Sequence, residues 1–76
     1  MHIRTDINVM DFLKQVQKCG SEVLFETPEG DSIALKSTLS QYIFCTIAQN
    51  IPLLKSGSIR FFDKADEEVL RDYLCD

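Results

Sequence analysis

Tryptophan is missing from these 76 residues, and histidine occurs once, at His2 near the amino terminus. Most nucleophilic catalysis pairs a thiol or hydroxyl with an imidazole base, so Cys–His and Ser–His arrangements are disfavoured from the outset. Cysteine is scarce and odd in number. Cys19, Cys45 and Cys75 lie far apart, with no CxxC spacing. A structural zinc site gathers about four soft ligands, and a secreted disulfide framework pairs an even number of thiols. Neither pattern is present, and the three are expected as small apolar side chains in a reducing compartment. The three glycines are not gathered into a phosphate-cradling loop. No apolar run approaches the roughly 20 residues that span a bilayer, and the opening MHIRTDINVMDF has neither the apolar stretch nor the cleavage site of a signal peptide. The expectation is a non-catalytic, cytoplasmic chain with no cofactor, no metal and no membrane contact.

Positive charge is also in short supply. Eight basic residues face twelve acidic ones, for a net charge of −4. Residues 1–50 and residues 51–76 each carry four basic and six acidic groups, so neither half is a basic arm. Nucleic-acid affinity comes largely from cations set against phosphates, and the linear order shows no such cluster.

The chain has an ordinary apolar fraction, 45%, in a length that makes one domain. A domain this short buries only about 60% of the surface its unfolded chain exposes. With disulfides and metal set aside, self-association is the remaining way to enlarge the core. Phe44, Leu53, Leu54, Phe61 and Phe62 exceed the needs of a monomer, which predicts a homodimer.

The periodicity predicts an α+β fold: a small antiparallel sheet packed on helices. His2-Ile3-Arg4-Thr5 reads as a short strand. Asp6 or Asn8 then caps a helix, and Val9, Phe12, Leu13 and Val16 share its inner face at the i, i+3, i+4, i+7 spacing. Gly20 is placed just past its end in a left-handed conformation. Residues 22–27 and 32–37 flank Pro28-Glu29-Gly30-Asp31, the signature of a hairpin, with Val23 and Phe25 facing Ile33 and Leu35. Ser37 or Thr38 starts a second helix running to about Asn50, its inward stripe being Leu39, Tyr42, Ile43 and Ile47. Phe44 and Cys45 widen that stripe towards a partner subunit. Pro52 bars continuation, and Lys55-Ser56-Gly57-Ser58 reads as a turn or linker. A last strand at Ile59-Arg60-Phe61-Phe62 leads into a helix capped by Asp63. Asp66, Glu67 and Glu68 in its first turn suit the helix dipole. The acidic cluster lacks the alternating ligands and sixth-position glycine of a calcium loop, and helix-start electrostatics accounts for it.

The order strand, helix, hairpin with a glycine turn, helix resembles the amino-terminal domain of the Phd/YefM antitoxin family. The stretches that carry it are Ile3 to Val16, Gly20-Ser21-Glu22, Val23-Leu24-Phe25-Glu26-Thr27, Gly30, Ile33-Ala34-Leu35 and Ser37 to Tyr42, within residues 3–45. The resemblance implies a homodimer built through residues 1–50, with Arg4, Lys14 and Lys18 as DNA contacts. It also implies that residues 51–76 form a carboxy-terminal strand–helix extension that meets a toxin-like protein partner. Two departures stand out: the hairpin turn is acidic, and the final segment carries its own turn and cap.

The expectation is therefore a small interaction module, dimeric and antitoxin-like. Its candidate contact surface is Phe61, Phe62, Val69, Leu70, Tyr73 and Leu74, unless those six complete the protomer's own core. A DNA-binding autorepressor is the first alternative and needs Arg4, Lys14, Lys18 and Lys36 to converge on one face. A regulatory domain with a small-ligand pocket between the hairpin and the last helix is the second.

Overall fold

The computed structural model describes residues 1–75. In chain order the elements are β1 (His2–Ile3), α1 (Val9–Gln17), β2 (Val23–Glu26), β3 (Ser32–Ala34), α2 (Thr38–Ala48), α3 (Ile51–Ser56), β4 (Ser58–Phe61), α4 (Lys64–Leu70), a single 3₁₀ turn (Arg71–Tyr73) and β5 (Leu74–Cys75). The α+β class is as the periodicity predicts. Strands β3, β2 and β4 form an antiparallel sheet with β2 in the middle, registered by Phe25 opposite both Ile33 and Ile59. β1 pairs with β5, His2 opposite Cys75. It is tied to β4 by the Ile59 N–H donating to the Met1 carbonyl at 2.7 Å.

Helix α1 forms as its spacing requires. Asn8 is the cap, its side chain accepting from the Asp11 N–H, and Phe12, Leu13 and Val16 are buried, with Val9 packed at the edge. The hairpin turns on Gly30 at φ 95°, a left-handed position that costs glycine nothing. Gly20 does not adopt that conformation: Lys18 caps α1 with right-handed geometry. The Gly20 and Ser21 amides instead donate to the Asp66 carboxylate at 2.9 and 3.0 Å. Among the described residues Asp66 is the one buried charged residue, 3% exposed. Its role therefore extends past helix-start electrostatics: it clamps α4 to the α1–β2 loop.

The core joins sheet to helices through aromatic contacts. Phe44 meets Phe25 edge-on at 5.3 Å and Phe12 at 5.9 Å, and Tyr73 closes on Phe12 at 5.8 Å. Gly57 sits so close to the far end of the Phe25 ring, at Cζ, that any Cβ there would overlap it. Burial also pushes the Cys19 thiol above its ordinary range, with nearby Asp66 acting in the same direction.

Several expectations are corrected here. The first strand is two residues long, because Arg4 leaves the ladder after its N–H reaches the Tyr73 carbonyl. The second helix ends at Ala48, and Asn50 opens a further helix instead of closing the previous one. Its side chain accepts from the Leu53 N–H, and Pro52 occupies the first turn, where its missing N–H costs nothing. Lys55 and Ser56 therefore belong to α3. The boundary between residues 1–50 and 51–76 is not a structural one, since β4 pairs along the whole of β2 and β5 holds β1. Phe44 and Leu54 are core residues rather than surplus, as are Leu70 and Leu74, while Phe61 and Tyr73 pack against that core. Of the six candidate contact residues only Phe62 and Val69 stay exposed. The last segment therefore supplies part of the core.

Candidate functional site

Helix α2 is apolar on two sides and can bury only one. Its rotation is set from the start: Gln41 Nε2 donates to the Leu35 carbonyl at 3.0 Å, and Phe44 enters the core fully buried. Cys45, Ile47 and Ala48 follow Phe44 inward. Of the stripe that periodicity assigned to the core, Ile47 does pack inward, but Leu39, Tyr42 and Ile43 face outward. Leu39 is 72% exposed, Tyr42 71% and Ile43 48%. At i, i+3 and i+4 they form one continuous helical face.

Helix α1 extends that face with Met10, 59% exposed. Between the two helices runs an apolar groove of about 180 Å³, lined by Met10, Leu13, Thr38, Gln41, Tyr42 and Cys45. From Ser37 to Leu54 the chain holds no Asp, Glu, Lys or Arg. Exposed large apolar side chains in a charge-free setting are the composition of an interface core, where aromatic residues and Met are enriched and charges depleted. Met10 was not singled out by periodicity, because α1 alone already had a complete inner stripe.

The cations expected at DNA are dispersed or engaged. Arg4 pairs with Asp6 at 2.8 Å, and this bond holds the Asp6 carboxyl below its ordinary range. Lys36 Nζ donates to the Cys19 carbonyl at 2.6 Å. Lys14 and Lys18 lie one turn apart on the exposed side of α1. Arg4 instead lines a separate shallow cleft with His2, Lys55 and Cys75. The His2 ring donates from Nδ1 to the Gly57 carbonyl at 2.7 Å, since a carbonyl only accepts.

Among the described residues no helix is long and apolar enough to cross a membrane. No family model, curated protein or solved structure matches the chain.

Proposed function

We propose that this chain is a non-catalytic interaction module that works as a homodimer, with the outward face of α2 as the contact between copies. The observation that carries this reading is Leu39, Tyr42 and Ile43 standing exposed together on a charge-free segment. Two copies that each carry a net charge of −4 repel across most of their surfaces. The α2 face lets them approach without setting like charges against each other. Dimerisation also supplies the apolar burial that a domain of this length lacks.

From the antitoxin resemblance this reading keeps the dimer formed through residues 1–50 and a protein partner. It does not keep the free toxin-binding tail, whose residues serve the core, nor the DNA contacts, of which Arg4 is neutralised by Asp6. With α2 occupied, Phe62 and Val69 are the members of the original six still open to a further protein. Three free thiols, with Cys19 buried, suit a reducing cytoplasm.

The test is mass by light-scattering chromatography on the parent chain and on Tyr42→Glu. A dimeric parent and a monomeric variant with an unchanged melting profile at low concentration is the expected result. A parent that remains monomeric up to high concentration overturns the reading.

A further inference from the structure

We draw no further inference here: the strongest candidate, the apolar groove between α1 and α2 lined by Met10, Tyr42 and Cys45, has nothing in the structure to show what covers it.

Discussion

Phe44 and Leu39 lie little more than a turn apart on α2 and do opposite work. Phe44 is fully buried between Phe12 and Phe25, and Leu39 is mostly in water. Phe44→Ala is expected to lower stability by about 3–5 kcal/mol, through lost transfer energy and the cavity left behind. Leu39→Ala, in dilute protein, should stay within about 0.5 kcal/mol of the parent. Urea unfolding of both variants checks this, and equal effects would mean that α2 is rotated from the position described. The same pair shows what the sequence could reveal. Helix α1 has one apolar stripe, so its inner face was readable residue by residue. Helix α2 has two, and periodicity favoured the stripe with more large aliphatic side chains. The choice was made by a single aromatic ring that fits between two others and by the Gln41 bond to Leu35, both of which depend on the fold already being formed. Cys19, Cys45 and Cys75 looked alike in the sequence, yet one is buried, one half-buried in the groove and one exposed.

At the scale of elements, the hairpin was legible because its turn chemistry and both strands are contiguous in sequence. β4 was recognised as a strand, but its place beside β2 was not, since the pairing spans some thirty residues of intervening chain and local pattern carries no record of it. For the same reason Asn50 was read from the wrong side: an Asn before Pro suits either the end of one helix or the start of another. Helix α4 is held less by its short apolar stripe than by Asp66. Asp66→Ala removes a carboxylate that accepts two amide hydrogen bonds at 2.9 and 3.0 Å. Charge-assisted bonds of this kind make the expected loss about 2–3 kcal/mol. Chemical denaturation measures the loss, and amide exchange at Gly20 and Ser21 should quicken alongside it. Unchanged protection of those two amides would show that the clamp is dispensable. The candidate contact surface was misplaced for a related reason. Phe61, Leu70, Tyr73 and Leu74 are apolar at helical and strand spacings whether they face a partner or their own core, and only the return of the tail onto β1 and β2 decides between the two.

For the molecule as a whole, one stretch that carries exposed apolar side chains is free of charge. Every one of the twenty formal charges lies outside residues 37–54. Association through a neutral face by bodies of like net charge has a distinctive salt dependence. Added sodium chloride screens the long-range repulsion and leaves the apolar contact in place. Dimer affinity is therefore expected to rise between low and physiological ionic strength, as followed by sedimentation or light scattering. An ion-paired interface would weaken over the same range, and that outcome would move the contact away from α2.

The pairing of β1 with β5 sets His2 directly across from Cys75. The backbone thus traces a nearly closed loop, and its topology scarcely depends on where the covalent chain is cut. A short bridge between the ends and a new opening in the exposed turn at Glu29-Gly30 would keep every strand pair and every core contact while placing everything after that turn ahead of β1, α1 and β2 in the order of synthesis. The same closure means that the domain can be spliced as a unit into a surface loop of a larger protein, entering and leaving at one point, with the α2 face still presented to the outside.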